Sequence, residues 1–406
     1  MAMEPSPDLI PTLHRVLEEL YENPPPSIPS PAATPKRASV ALVIRIQPHP
    51  SYRPKDNNNA SVSTLAEFFD LPWVQHGDPE CLFIKRAARK GDRWTSHVAL
   101  PGGKRDAEDK GDYEVAVREC LEEVGLDLDG EMAIDCGKLP DRIVTTSWGT
   151  VPLMVLCPFV FVHMSPTPPP LHLQPTEVAS AHWVPLRTLL SPDFRTVHRC
   201  DVSDRLARQT TGLLGRFVRW GLRINLGQME FSAVRLWPSH SVYSSFGGDF
   251  ITDSGAASGS WDRPMLLWGL TLGVVTDFLE MLPHGEPATG WNYPTFTSPD
   301  VKAVVWLMTK SLRQRNWLKM QQGSMARALE EKRRLEDIDA DGDTKSSMVL
   351  VQGRNENRQI EPRTSVVGTL LEGYYDIVQD AVWITLFGRT LIIGTALGAA
   401  WWKHRR

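Results

Sequence analysis

Three glutamates, Glu119, Glu122 and Glu123, are spaced at i, i+3 and i+4, which on a helix places their side chains within an arc of about 100°. Each like-charged pair costs roughly 0.2–0.5 kcal/mol, so the arrangement favours screening by solvent or neutralisation by a divalent cation. Because the ligands would be carboxylate oxygens, Mg²⁺ or Mn²⁺ fits best. Arg118 can hold a carboxylate or a phosphate oxygen bidentately. These residues predict a site for water attack on a phosphorus–oxygen bond, and an ordinary acidic helix face is the alternative.

A glycine turn, Pro101-Gly102-Gly103, precedes this cluster. Glycines let the backbone pass close to other groups, so a carbonyl of the turn could complete the coordination of a metal. The turn and the glutamates together favour a catalytic site over an acidic surface.

The glutamates are predicted to lie on a helix that runs from about Asp112 to Val124. Asp112 and Glu114 suit the positive end of the helix dipole, and Gly125 suits a left-handed position just past its end. The residues expected to form the buried face recur at helical spacing: Val117, Cys120, Leu121 and Val124.

Strand-like and helix-like segments alternate around this helix, which is typical of an α/β fold. Apolar runs predict strands at residues 39–46, 81–86, 151–164 and 182–186. Residues 264–282 predict a buried core helix, and a membrane-spanning helix is the alternative for this nearly apolar run.

Residues 100–126 resemble the Nudix box, Gx5Ex7REUxEExGU, in which U is aliphatic. The second half matches over residues 118–126, with Cys120 as a small apolar substitute. The first half needs one inserted residue, which aligns Gly103 with the glycine and places Asp109 where the family has its first glutamate. In the family that position mainly supports the loop.

The flanking segments resemble the coenzyme A pyrophosphatase subgroup of this family. Residues 82–86 and 97–103 resemble the signature before the box, with Leu100 where phenylalanine is usual. Residues 158–161, 183–186 and 267–271 resemble its later landmarks. The resemblance covers residues 38–283 and implies a Nudix α/β/α sandwich with a mixed sheet.

The resemblance also implies roles for individual residues. Glu119 and Glu123 would be the principal ligands of Mg²⁺ or Mn²⁺, Glu122 a third ligand or the base that activates water, and Arg118 an orienting partner. Glu177 could add a carboxylate or be structural. The basic residues that could meet substrate phosphates, with solvated surface as the alternative, are Lys85, Arg86 and Lys104.

The implied reaction is hydrolysis of a diphosphate within a nucleotide-containing small molecule. Coenzyme A or an acyl-CoA would be cut to 3′,5′-ADP and (acyl-)4′-phosphopantetheine. The alternatives are another Nudix substrate, such as ADP-ribose or a dinucleotide, and a membrane-tethered binding protein without catalytic activity.

Charge and cysteine content limit the other classes of protein. The 406 residues include 44 Lys+Arg and 48 Asp+Glu, and this acidic balance argues against nucleic acid as a partner because phosphate binding needs surplus positive charge. The five cysteines are widely spaced and form no CxxC pair, so neither a zinc site nor a disulfide framework is expected.

The C-terminal end predicts a membrane helix over residues 382–402. Residues 383–402 would span about 30 Å as a helix, which matches a bilayer core. Trp383 lies at one end and Trp401 and Trp402 at the other, followed by a basic cluster. Arg389 argues against a span, although it could extend toward the interface. A buried helix and a membrane-surface helix are the alternatives.

The predicted organisation has five parts. Residues 1–37 are expected to be a disordered spacer, 38–288 the Nudix domain, 298–335 a helical extension, 336–365 a disordered linker and 382–402 the membrane helix. Such a late span would be a single-pass tail anchor with the domain facing the cytosol. The family suggests a peroxisome or a mitochondrion as the organelle.

Overall fold

The computed structural model describes residues 9–32, 34–54, 62–88, 96–145, 151–201, 212–244, 265–282, 292–341 and 365–406. Its strands are β1 (Arg37–Gln47), β2 (Asp78–Arg86), β3 (Val98–Ala99), β4 (Gly102–Lys104), β5 (Ala133–Lys138), β6 (Arg142–Thr145), β7 (Pro152–His163), β8 (Val178–Pro185), β9 (Arg195–Cys200), β10 (Met229–Arg235), β11 (His240–Tyr243), β12 (Leu266–Trp268) and β13 (Thr295–Phe296). Its helices are α1 (Leu9–Glu22), α2 (Leu65–Phe69), α3 (Pro72–Gln75), α4 (Asp112–Val124), α5 (Leu186–Leu190), α6 (Gly212–Leu226), α7 (Gly269–Leu279), α8 (Pro299–Asp341), α9 (Val366–Leu371) and α10 (Tyr374–Arg405).

The main sheet is mixed and has the order β11-β8-β2-β1-β7-β5, with β3, β4 and β6 paired at its sides. The central pair, β1 and β7, is parallel, and β1 pairs antiparallel with β2. Both faces of this sheet are covered. Helix α4 packs on one face, while α1, α2, α3 and α7 supply apolar side chains to the other. The prediction of a Nudix α/β/α sandwich with a mixed sheet is confirmed.

The N-terminal segment corrects one prediction, because residues 1–37 are not a disordered spacer throughout. Helix α1 buries a stripe of apolar residues against β5 and the core beneath it. Burial of such a stripe stabilises a helix far more than its local propensity does. The buried apolar residues of the stripe are Leu9, Ile10, Leu13, Val16, Leu17 and Leu20.

The predicted core helix over residues 264–282 begins later than expected. Leu266–Trp268 forms strand β12 against β10, and helix α7 starts at Gly269, whose φ is 65°. This left-handed backbone conformation suits glycine and turns the chain from strand to helix. The buried environment expected for the helix is observed.

A second, four-stranded sheet and the C-terminal helices form a further layer. The sheet has the order β12-β10-β13, and β9 pairs with β10. Helix α8 occupies the predicted extension and continues to Asp341, so the first residues of the predicted linker are helical. Residues 342–364 of that linker lie outside the described residues.

Helix α9 is tied to the main sheet through Asp277 of α7. One carboxylate oxygen of Asp277 accepts from the Val366 N–H at 2.9 Å, and the other accepts from the Arg142 Nε at 3.1 Å. Arg142 lies on β6, so this buried carboxylate joins three elements.

Helix α10 begins against α8 and then leaves the domain. Val378, Val382 and Thr385 are buried, whereas every residue from 390 to 406 is exposed. Val366–Arg405 contains a stretch that is long and apolar enough to cross a membrane, judged by length and composition alone. The first residues of the predicted span, 382–402, therefore pack against the domain.

Candidate active site

Helix α4 has the predicted bounds because its ends carry local signals. At its start the Gly111 N–H donates to the Glu114 carboxylate at 2.7 Å. At its end Gly125 has φ 71°, and its N–H donates to the Leu121 carbonyl at 2.9 Å. The buried face agrees with the prediction at Cys120 and Val124, but the Leu121 side chain is exposed and Val117 is only partly buried. Val115 and Ala116 are buried in their place.

The three clustered glutamates of α4, Glu119, Glu122 and Glu123, differ sharply in exposure. Glu123 is buried, and its Oε2 accepts from the Gly102 N–H at 2.9 Å. Glu119 is half-buried, whereas the side chain of Glu122 is 59% exposed. One helix therefore presents an enclosed, an intermediate and a solvated carboxylate within about one turn.

Arg118 links the glutamates to the loop before the helix. Its Nε and Nη2 donate to the two oxygens of Asp109 at 2.9 and 3.0 Å. Its Nη1 lies 3.0 Å from the Glu122 Oε2, and its Nη2 lies 3.2 Å from the Glu119 Oε1. The guanidinium is thus engaged by carboxylates and positions them.

The short strand β4 begins with two glycines, which let it lie close to its neighbours. A Cβ added at Gly103 would lie 2.3 Å from the Glu119 Oε1, and one at Gly102 would lie 2.2 Å from the Ser39 carbonyl oxygen. Gly102 also has a φ of 151°. Gly102 is therefore required for the close approach of β4 to β1, and Gly103 leaves room for the Glu119 carboxylate.

Burial and mutual repulsion disfavour negative charge in this cluster. Burial raises the pKa of Glu123 to about 7, against the opposing effects of the Gly102 N–H and Arg86, while Glu119 and Glu177 raise it further. The pKa of Glu119 is also raised by burial, and Glu122 and Glu177 add to that effect. The charge of Glu177 therefore acts on both Glu119 and Glu123.

The three basic residues predicted to meet phosphates are not brought together. Arg86 faces α4, with its Nη1 4.0 Å from the Glu123 Oε1. Lys85 precedes it on β2, and its side chain points to the opposite face of the sheet. There the pKa of His182 is lowered by burial and by the charge of Lys85. The Lys104 side chain is exposed, and its carbonyl accepts from Arg118 at 3.3 Å.

The glutamates suit a divalent cation by their negative charge and their oxygen donor atoms. Within the described residues, no three aspartate, glutamate, histidine or cysteine side chains stand in the arrangement of a preformed metal site. Arg118 and Arg86 supply positive charge to the glutamates instead. Repelling, partly buried carboxylates are the donors that Mg²⁺ and Mn²⁺ prefer, so the residues fit such an ion.

Comparisons with known proteins place the chain in a family. A family profile described as the NUDIX domain matches residues 71–200. A protein of Schizosaccharomyces pombe described as uncharacterized is 34% identical over 290 residues, which cover 70% of this chain and 78% of that protein. Residues 71–200 therefore form a Nudix domain. Hydrolases of the Nudix family act on pyrophosphate bonds and generally depend on divalent metal ions.

The chain is also similar to solved structures. A Nudix hydrolase from M. smegmatis, RenU, is 18% identical with a TM-score of 0.25, over 38% of this chain and 74% of that one. The NUDIX domain of Shewanella oneidensis NrtR, complexed with ADP ribose, is 14% identical with a TM-score of 0.24, over 38% and 75%. A C. elegans Ap4A hydrolase is 13% identical with a TM-score of 0.22, over 46% and 96%.

Proposed function

We propose that this Nudix hydrolase cleaves the diphosphate of coenzyme A or an acyl-CoA, giving 3′,5′-ADP and (acyl-)4′-phosphopantetheine. The observation that carries the catalytic part is the pair Glu119 and Glu123 beside the Gly102-Gly103 strand, with Arg118 bound to the helix carboxylates. The resemblance of residues 82–86 and 97–103 to the coenzyme A pyrophosphatase signature supports the substrate.

The exposure of each glutamate indicates its role in hydrolysis. Glu119 and Glu123 would hold Mg²⁺ or Mn²⁺, with Glu177 as a further donor, and the bound ion would stabilise the negative charge of the phosphate oxygens. Glu122 is solvated and accepts the proton of the attacking water. The water oxygen bonds to phosphorus while the bond from phosphorus to the bridging oxygen breaks.

Two contacts keep these carboxylates in position. Arg118, held by Asp109, fixes Glu119 and Glu122 relative to each other, and the Gly102 N–H fixes Glu123. Arg86 points into the same region and could bind a substrate phosphate, whereas Lys85 lies on the other face of the sheet.

A substrate panel tests this proposal. Purified protein is assayed with Mg²⁺ and with Mn²⁺ against coenzyme A, acyl-CoAs, ADP-ribose and dinucleoside polyphosphates. We expect the highest kcat/KM for coenzyme A or an acyl-CoA. A higher value for ADP-ribose would contradict the substrate assignment, and activity that survives Glu122→Gln with Glu123→Gln would contradict the site.

We also propose that the exposed part of α10 is a tail anchor, with the Nudix domain on the cytosolic side of a peroxisomal or mitochondrial membrane. Its support is the fully exposed apolar run over residues 390–402, with Trp401 and Trp402 at its end. Deleting residues 390–406 should move the protein from the membrane pellet to the supernatant. A wild-type chain found in the supernatant would contradict the anchor.

A further inference from the structure

Helix α6 exposes two large apolar side chains that the core does not use. Trp220 and Ile224, one turn apart, are 65% and 62% exposed. Leu222 and Leu226 lie on the other side of the helix and pack into the core formed with α8 and α10. Helix α6 therefore has an inner face packed in the core and an outer face, with Trp220 and Ile224, that is exposed.

This helix ends at the base of the apolar tail. The Asn225 carbonyl and side-chain oxygens accept from the Arg389 Nη1, the second at 3.2 Å. Arg389 also donates to Ser298 and to Asp300, each at 2.7 Å. Residues after Arg389 are exposed on all sides. A membrane that receives the tail must therefore lie within about a helical turn of Asn225 and Ile224.

The positive charge of the outer face of α6 indicates that it binds a negatively charged surface. Three arginines and no acidic residues occur in α6. Arg216 lies one turn before Trp220, and Arg223 directly precedes Ile224; both arginines are exposed. Arg223 pairs with Asp201 at 3.3 Å. Arginine beside exposed tryptophan and isoleucine is the composition of helices that lie at anionic lipid surfaces.

A second copy of the chain fits this face less well. If two copies met symmetrically through α6, Arg216 and Arg223 of both copies would approach each other, and the helix has no carboxylate to pair with them. Lipid headgroups carry negative charge, which helix α6 itself lacks.

We propose that the outer face of α6, centred on Trp220 and Ile224, docks on anionic lipid headgroups beside the point where the tail enters the membrane. This proposal rests on the tail anchor proposed above. Trp220 and Ile224 enter the interfacial region, Arg216 and Arg223 bind phosphate groups, and Arg389 fixes α6 to the tail.

An environment-sensitive fluorophore tests the proposal in the full-length chain. Four of the five cysteines are buried, so a Cys200→Ser background allows labelling at Ile224→Cys. The matched control is Trp237→Cys, because Trp237 is 69% exposed and lies beyond Arg235, at the end of β10 away from Met229 and β13. Both proteins are floated with vesicles of phosphatidylcholine, with and without phosphatidylserine.

We expect a blue shift of the label at position 224 that is larger with phosphatidylserine, and no shift at position 237. Arg216→Glu with Arg223→Glu should remove the effect of phosphatidylserine while the protein still floats. Flotation with an unshifted label at 224 would overturn the docking surface alone, as would a shift indifferent to phosphatidylserine. Failure of both labelled proteins to float would instead contradict the anchor.

Discussion

Glu123 holds its carboxylate where charge is disfavoured. Its pKa is about 7 in the folded protein and about 4.5 for an ordinary glutamate. The folded state therefore binds the proton more tightly, and the resulting stability is fully present below about pH 4.5 and is lost as pH rises through 7. Without divalent cations, we expect the free energy of unfolding to fall by about 3 kcal/mol over that window.

Glu123→Gln tests this expectation. The amide oxygen can still accept from the Gly102 N–H, but the group carries no charge, so the variant should melt at a higher temperature than wild type at pH 8 in EDTA. It should also lose activity and the stabilisation that Mn²⁺ gives to wild type. Thermal melts with and without Mn²⁺ measure both effects.

Glu122→Gln is the matched control for stability, because it makes the same change on the same helix at an exposed position. Its melting temperature in EDTA should equal that of wild type. Equal melting temperatures for Glu123→Gln and wild type across the pH range would contradict the unfavourable charge at Glu123.

Gly103→Ala should damage catalysis without unfolding the protein. The new Cβ would lie 2.3 Å from the Glu119 Oε1, so the flexible carboxylate must move while the backbone stays. A misplacement of about 1 Å can cost on the order of 100-fold in rate, and we expect a loss of kcat of that order. Steady-state kinetics with a thermal melt separates the two effects.

Gly111→Ala is the control for this change, because the nearest atom to its new Cβ is the Glu114 Oε2 at 4.0 Å. It should retain wild-type activity. A Gly103→Ala enzyme with wild-type kcat would show that Glu119 has no required position.

At the scale of single residues, the sequence predicts that the helix carboxylates and Arg118 lie together, because their spacing along one helix fixes their mutual positions. The structure shows that Asp109 binds Arg118 in the place aligned with the first glutamate of the box. Which face of the sheet Lys85 occupies, and whether Glu177 joins the cluster, depend on strand pairing between distant segments. Local patterns do not encode that pairing.

Helix α1 lies in a segment that the sequence predicts to be disordered, yet its packing should contribute strongly to the free energy of unfolding. Leu13 and Leu17 are both 0% exposed, and replacing either leucine by alanine in a core costs about 2–5 kcal/mol. We therefore expect Leu13→Ala and Leu17→Ala each to destabilise the protein by that amount in chemical denaturation.

Tyr21→Ala is the matched control on α1, because this side chain is 63% exposed. It should change the free energy of unfolding by less than about 0.5 kcal/mol. If the two leucine variants were as stable as Tyr21→Ala, the docking of α1 would be wrong.

The elements differ in how far local sequence determines them. Helix α4 is bounded by Gly111 and Gly125, so its ends can be predicted. Helix α1 has apolar residues at helical spacing, but its early proline and the proline-rich run that follows favoured a spacer. Strand β12 is a strand because it pairs with β10, a contact that the apolar run itself does not reveal.

At the scale of the whole molecule, the contact of Arg389 with Asp300 shortens the part of α10 available to lipid. Thirteen residues, 390–402, remain exposed and give about 20 Å of helix, against a hydrocarbon core of about 30 Å. We therefore expect the full-length protein to insert better into vesicles of short-chain than of long-chain phosphatidylcholine, measured by flotation.

Arg389→Leu should weaken that preference, because an uncharged helix over residues 383–402 is about 30 Å long. Lys403→Leu, which changes a charge beyond the apolar run, is the control and should leave the preference as it is. A wild-type protein that inserts equally into both kinds of vesicle would show that the contact opens on insertion.

The continuity of α10 has a mechanical consequence. The helix runs without a break from Tyr374, packed in the domain, to Arg405 at the far end of the tail. In a membrane, such a continuous helix is a rigid connection and not a flexible linker, since no glycine-rich or proline-rich segment separates the domain from the bilayer. The height and tilt of the glutamate cluster above the bilayer would then follow the inclination of the helix.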